Sequence, residues 1–147
     1  MMAYLPPYRY ISGDELATLM KSGAKPRQDY VVVDVRDDDR IGGHILGSLH
    51  SPSYAFQDAV QTLLEETKDI PKVVFHCALS QQRGPKAARI YSELRSEREE
   101  RLGNDPDTPN FEVLVLRGGF TEFQLRHRND KTLIEAWDKN VWNNPYF

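Results

Sequence analysis

Three short runs constrain this chain more than anything else in it: "YVVVDV" at residues 30–35, "KVVFHC" at 72–77 and "FEVLVL" at 111–116. Each is rich in β-branched residues and almost continuously apolar, whereas a strand wetted on one face would alternate. Such runs suit central strands covered on both faces, and a sheet covered on both faces suggests parallel strands. The stretches between them carry helical spacing instead. Strands alternating with helices in 147 residues predict an α/β fold with a mostly parallel central sheet.

The intervening segments can be read one by one. "SGDELATLMKSG" opens on Ser12 with Glu15 three residues later, a capping-box pattern, followed by a stripe of Leu16, Leu19 and Met20 and a stop at Gly23. "RDDDRIGGHILGSLHSP" is a glycine-punctuated connection with an extended piece at 46–50. "SYAFQDAVQTLLEE" predicts a helix capped by Ser53, with Phe56, Val60, Leu63 and Leu64 on one face. "GPKAARIYSELRSEREERL" predicts another, with Pro85 in its first turn, where a missing N–H does no harm, and Ile90 and Leu94 in its inner face. Its end, "RSEREER", alternates in charge and reads as solvated, with Arg95/Glu99 and Glu97/Arg101 at pairing distance along the helix. The chain after Phe120 predicts one or two short helices, and the tail aromatics Trp137, Trp142, Tyr146 and Phe147 are expected to pack back onto the domain.

Composition removes several function classes. A net charge of −3 without any long basic block argues against nucleic acid or an anionic membrane as partner. No apolar run approaches the roughly 20 residues of a membrane helix. "MMAYLPPYRY" lacks the apolar centre of a secretion signal. One cysteine allows neither an internal disulfide nor a cysteine-built zinc site, and no His/carboxylate cluster at ligand spacing implies a metal. The expectation is one domain over residues 1–147, soluble and cytoplasmic, small enough to enter the nucleus though without a basic signal for it, and with no cofactor.

The remaining cysteine stands where chemistry would need it. Cys77 ends the second strand, and Arg83 follows six positions later, just before Gly84-Pro85 and a helix. In open parallel sheets, ligands sit beyond the carboxyl ends of the strands. The backbone of Ala78, Leu79, Ser80, Gln81 and Gln82 can curl so that its N–H groups converge, and the helix adds its positive end to the same spot. A tetrahedral oxyanion such as phosphate fits that cradle. Arg83 would grip two of its oxygens in a fork that lysine cannot reproduce. A cysteine beside an arginine at a helix N-terminus is activated as a nucleophile without a dedicated His/Asp pair.

"HCALSQQRGP" resembles the HCxxSxxRGP motif of the cell-division-cycle dual-specificity phosphatases, which share the rhodanese fold. "VVVDVRDDDRIGGHILGSLHSP" and "LRGGFTEF" are similar to two further segments of that fold, in the family's order. The resemblance implies a three-layer rhodanese-like architecture, its mostly parallel sheet flanked by helices. It implies a phosphatase with Cys77 as nucleophile, Arg83 as phosphate clamp and Ala78 to Gln82 lining the substrate. Asp34, Arg36 and the Gly42-Gly43-His44 turn would hold the site in place, and His76 would orient the loop from the strand end; His44, His50 and His127 would be structural or surface residues. Five residues between Cys77 and Arg83 make a C-x5-R loop, matching phosphatases and the related eukaryotic arsenate reductases; sulfur-transferring rhodaneses have a loop one residue shorter.

Two departures from the family pattern matter. Some relatives carry a loop glutamate as leaving-group acid, where this chain has Ala78 after the cysteine and Gln82 before the arginine. Either an acid then comes from elsewhere, with Asp37 to Asp39 a candidate run whose preferred reading is a solvated loop, or the substrate has a good leaving group. Some relatives also carry a protective cysteine where this chain has Val35. Three readings therefore stand: a phosphatase acting on phosphorylated proteins, an arsenate reductase completed by an external thiol such as glutathione, and a phosphate-binding module without turnover.

Overall fold

A computed structural model describes residues 6–144. The start of the "MMAYLPPYRY" segment and the aromatics Tyr146 and Phe147 lie outside the described residues. Five parallel strands form the central sheet: β1 (Arg9–Ile11), β2 (Val31–Asp34), β4 (Leu49–His50), β5 (Lys72–His76) and β6 (Glu112–Leu116), in the order β1-β6-β5-β2-β4. A second, antiparallel ribbon pairs β3 (His44–Ile45) with β7 (Ile134–Glu135).

The alternating sides of the apolar strands feed two separate cores, which is why these runs are apolar throughout. Val31, Val33, Val73, Phe75, Val113 and Val115 face one way, onto α2 (Phe56–Thr67) and α3 (Arg83–Arg101). Val32, Val74, Leu114 and Leu116 face the other, onto α1 (Gly13–Lys21), α4 (Gly119–His127) and the β7 region. The mostly parallel sheet flanked by helices is the architecture the sequence predicts. α1 begins with the expected capping box: Ser12 Oγ accepts the Glu15 N–H at 3.0 Å, and Glu15 accepts the Ser12 N–H at 3.2 Å.

Several details differ from expectation. The extended piece at 46–50 is a turn followed by β4, because β3 leaves to pair with β7, nearly 90 residues later. Ser53 does not cap α2. It lies in a 3₁₀ turn (Ser53–Ala55), and its hydroxyl donates to Asp37 Oδ2 at 2.5 Å. The inner face of α3 is built from Ala87, Ala88, Tyr91 and Arg95, with Ile90 and Leu94 only flanking it. Arg95 is buried, not solvated; it donates to Tyr91 Oη at 3.0 Å and to the Lys68 carbonyl at 3.1 Å, and stacks on Phe111. Trp137 and Trp142 pack on the core as expected. The last short helix, α5 (Lys139–Trp142), brings the Trp142 indole N–H to the Gly42 carbonyl at 2.8 Å. Gly43 (φ +115°) takes a left-handed conformation where a Cβ would press on the Trp137 backbone, so the Gly42-Gly43 turn is closed against the tail. Among the described residues, no helix is long and apolar enough to cross a membrane.

Candidate active site

β2 and β5 lie side by side in register, Asp34 beside His76. From there the chain departs in opposite directions: β2 leads on to β4 at one sheet edge, and β5 to β6 on the other side. Two diverging connections leave a crevice at the carboxyl ends of the strands, the usual ligand position in a parallel sheet. The connection after β5 holds residues 77–82, and that after β2 holds Asp37 and Asp39.

The Cys77 loop is pinned from both sides. Carbonyls of Cys77 and Ala78 accept the N–H groups of Phe120 and Thr121, each at 3.0 Å, in the first turn of α4. That contact explains the glycine pair in "LRGGFTEF": Gly119 sits at φ +62°, and a Cβ there would collide with both carbonyls. Within the loop, Ser80 adopts φ +55°, a left-handed conformation that a non-glycine residue takes only when its surroundings hold it there. The result is a reciprocal contact. The Ser80 N–H donates to Cys77 Sγ at 3.2 Å, while Ser80 Oγ accepts the Cys77 N–H at 3.4 Å. Gly84, in the first turn of α3, packs closely under the Cys77 backbone. Cys77 is 3% exposed, whereas Leu79, Gln81 and Gln82 are open to solvent and Ala78 is half-buried. The sulfur is recessed beneath an accessible rim.

Beneath the loop lies a charged scaffold. Arg36 donates to both oxygens of Asp34, the shortest contact being 2.7 Å, and to the Gly43 carbonyl at 2.9 Å, while its guanidinium lies 4.2 Å from the centre of the Phe120 ring. Burial works against the Asp34 carboxylate, yet the hydrogen bonds and charge of Arg36 hold its pKa well below the usual range. His76 stacks on Phe120, and its Nδ1 lies 3.0 Å from the Cys77 carbonyl. A carbonyl only accepts, so Nδ1 carries the proton. Complete burial lowers the His76 pKa and keeps the ring neutral, despite the pull of Asp34 in the other direction. His76 thus contacts the loop at its first carbonyl, from the strand end where the resemblance places it. The remaining histidines are engaged with scaffold: His44 with Glu135, His50 with the Arg36 carbonyl, and His127 with the Phe123 ring.

Arg83 opens α3, but its guanidinium is occupied. Nη1 and Nη2 donate to Asp39 Oδ1 and Oδ2 at 2.9 and 2.6 Å, and Nη1 also reaches Asp37 Oδ2 at 3.3 Å. These hydrogen bonds, those of Asp39 foremost, raise the Arg83 pKa further still. Arg83 in turn lowers that of Asp39. Partial burial works against the Asp37 carboxylate, but Ser53, the Tyr54 amide and Arg83 outweigh it and hold its pKa low. The acidic run read from the sequence as a solvated loop is therefore in direct contact with Arg83. Its position after a strand adjacent to β5 was the available signal, since neighbouring parallel strands bring their following loops together.

A well-formed cleft lies away from the Cys77 loop. It has a volume of about 680 Å³ and opens at the opposite end of the sheet, walled by Tyr8, Glu93, Glu97, Pro109 and Phe111. Its lining arginine, Arg9, is paired with Glu112, and the Glu93 and Glu97 carboxylates beside it repel an oxyanion. Among the described residues, no group of three or more His, Cys, Asp or Glu side chains is placed to hold a metal ion.

Comparison with known proteins follows the same outline. The rhodanese-like domain family matches residues 12–126. The chain is 39% identical over 120 residues to arsenate reductase 2.2 of Oryza sativa subsp. japonica, covering 81% of this chain and 84% of that protein. It is 36% identical over 124 residues to the dual specificity phosphatase Cdc25 of Arabidopsis thaliana, covering 84% and 77% respectively. Among solved structures, the yeast protein tyrosine phosphatase Ygr203w of the rhodanese family superposes with a TM-score of 0.73 at 29% identity, over 95% of this chain and 99% of that one.

Proposed function

We propose that this chain, which belongs to the family of rhodanese-like domains, is a cysteine-dependent phosphatase that cleaves phosphate monoesters, phosphorylated proteins among them, through a phosphocysteine. The observation that carries the reading is the Cys77 loop itself: a recessed sulfur receiving a backbone N–H, set between a strand end and a helix N-terminus that begins with Arg83. Cys77 Sγ attacks phosphorus, the ester P–O bond breaks, and the leaving oxygen takes a proton. Water then attacks phosphorus, the P–S bond breaks, and phosphate and free thiol are released. Ala78 to Gln82 line the oxyanion with backbone N–H groups, and Arg83 grips two oxygens. Neither step needs a cofactor. The cytoplasm, with the nucleus, is the proposed location.

A second reading is supported by the arsenate reductase relative and by the absence of any other cysteine in the chain. Cys77 would condense with arsenate, with loss of water. An external thiol such as glutathione would then attack that sulfur; two electrons pass to arsenic, releasing arsenite, and the two sulfurs leave as a disulfide.

The test is hydrolysis of p-nitrophenyl phosphate by the wild type and by Cys77→Ser. The activated leaving group needs no enzymic acid, so the assay reads the nucleophile alone. Turnover that disappears by at least ~1,000-fold in the variant is expected; a fully active Cys77→Ser protein would sink the phosphocysteine route. Arsenite formation from arsenate and glutathione, measured alongside, separates the second reading, since phosphate-ester hydrolysis consumes no reductant.

A further inference from the structure

The fork that makes Arg83 suited to a phosphate is already filled. Both oxygens of Asp39 occupy its two terminal nitrogens, the arrangement two oxyanion oxygens would take, and Asp37 adds a third contact. Nor are these carboxylates free to drift. Asp37 accepts hydrogen bonds from Ser53 Oγ at 2.5 Å and from the Tyr54 N–H at 3.2 Å. Its own N–H donates to Asp39 Oδ1 at 2.9 Å. The loop after β2 is thus braced against the start of the α2 segment, with its negative charge aimed at Arg83. The side chains of Arg83 and Asp39 are 32% and 43% exposed, so water can replace either partner and the pair can exchange.

Resting on the oxyanion reading of the Cys77 loop, we propose that Asp39, aided by Asp37, is a latch that holds Arg83 until a doubly charged tetrahedral oxyanion displaces it. Asp39 is a positioning residue in this scheme, acting on substrate through Arg83. The exchange is one for one: a ligand with two anionic oxygens takes both guanidinium nitrogens and releases the carboxylate. A tetrahedral ion with a single charge offers too little to compete. The latch therefore favours phosphate monoesters and arsenate over singly charged esters and anions, and every ligand binds more weakly than the bare cradle would allow. Gln82 and Ala78 fit this arrangement, since the loop carries no acid of its own to compete for Arg83.

The single cysteine makes a direct test possible, because alkylation of the folded protein reports on Cys77 alone. The rate of iodoacetamide labelling would be followed in rising inorganic phosphate, and separately in rising perchlorate, which has the same shape and one charge. Wild type, Asp39→Asn and Asp37→Asn would be compared at pH 8. The half-protecting phosphate concentration is expected to fall about tenfold in Asp39→Asn and less in Asp37→Asn, with the preference for phosphate over perchlorate narrowing in both. Half-protecting concentrations that are unchanged or higher in both variants, while phosphate still protects the wild type, would overturn the latch and leave the loop reading standing. Absence of protection in all three proteins would overturn both together.

Discussion

Two aspartate–arginine pairs, Asp34–Arg36 and Asp39–Arg83, draw their aspartates from the end of β2 and the loop after it, and their surroundings set them apart. Asp34 and Arg36 are 0% and 1% exposed, share three contacts and have no water to fall back on. Asp39 and Arg83 are joined by a comparable fork but stand about a third open to solvent. In the first pair Arg36 depends on Asp34 for its neutralising charge, and Asp34 has besides it only the partly exposed Arg40, whose Nε donates to Oδ2 at 3.2 Å; an unpaired buried ion costs several kcal/mol. In the second, either charge can be solvated or taken by a ligand. The same two residue types thus serve as scaffold in one place and as an exchangeable contact in the other, and burial decides which.

The comparison breaks most visibly by removing half of the buried pair. Asp34→Ala strands Arg36, and a loss of about 3–5 kcal/mol of stability is expected; Arg36→Ala should cost less, because Arg40 Nε still donates to Asp34 Oδ2 at 3.2 Å. Urea unfolding midpoints would measure it. Replacing both residues at once with apolar side chains should cost less than Asp34→Ala alone, because no buried charge is then stranded and Arg40, partly exposed, can be hydrated. A double variant as unstable as the sum of the singles would show that the pair's worth lies in geometry, not in mutual neutralisation.

Acid offers a second way to test the scaffold. The His76 pKa is lowered by burial, so the unfolded chain takes up a proton below about 6.5 while the folded protein does not. The unfolded state then binds more protons, and stability must fall as pH drops through that value, by up to about 1.4 kcal/mol per pH unit. Asp34, whose pKa is also lowered, contributes stability that is present above about pH 4 and lost on further acidification. Unfolding midpoints at pH 5, 6, 7 and 8 should decline toward acid in the wild type and stay nearly level from 8 to 5 in His76→Asn. A parallel decline in both proteins would remove His76 as the cause.

What could be read in the sequence divides along the same physical line. The three central strands, the α1 capping box and the Cys77–Arg83 loop were legible because each is local: an apolar run, a four-residue cap, a fixed spacing between strand and helix. β1 was not, since three residues with only Ile11 buried carry no pattern. The β3–β7 ribbon joins segments nearly 90 residues apart, two residues on each side, which no local window can see. Arg95 looked like surface because charged residues usually are; only the fold brings Tyr91, Lys68 and Phe111 around it. Asp37 and Asp39 failed for the same reason. A run of aspartates is solvated by default, and its contact with Arg83, 44 residues away, exists only because β2 and β5 are neighbours.

The closed glycine turn beside Arg36 gives a smaller effect. Trp142→Phe keeps an aromatic side chain but deletes both the N–H that the Gly42 carbonyl accepts and part of the ring volume packed on the core, so a loss of about 1–3 kcal/mol is expected. A loss much above that range, read by the same urea midpoints, would mean that the tail braces the Asp34–Arg36 scaffold as a unit.

The smallest stability effect is expected where the functional one is largest. Asp39→Asn leaves Arg83 exposed enough to be hydrated, and Asp37 remains within reach of Nη1. The change in unfolding free energy should stay within about 1 kcal/mol. Stability and oxyanion affinity would then move independently at this residue, whereas at Asp34 they fall together because the loop unfolds with its scaffold. If Asp39→Asn instead costs as much as Asp34→Ala, the Arg83 pair belongs to the scaffold, exposure is a poor guide to exchange, and the distinction between the two pairs collapses.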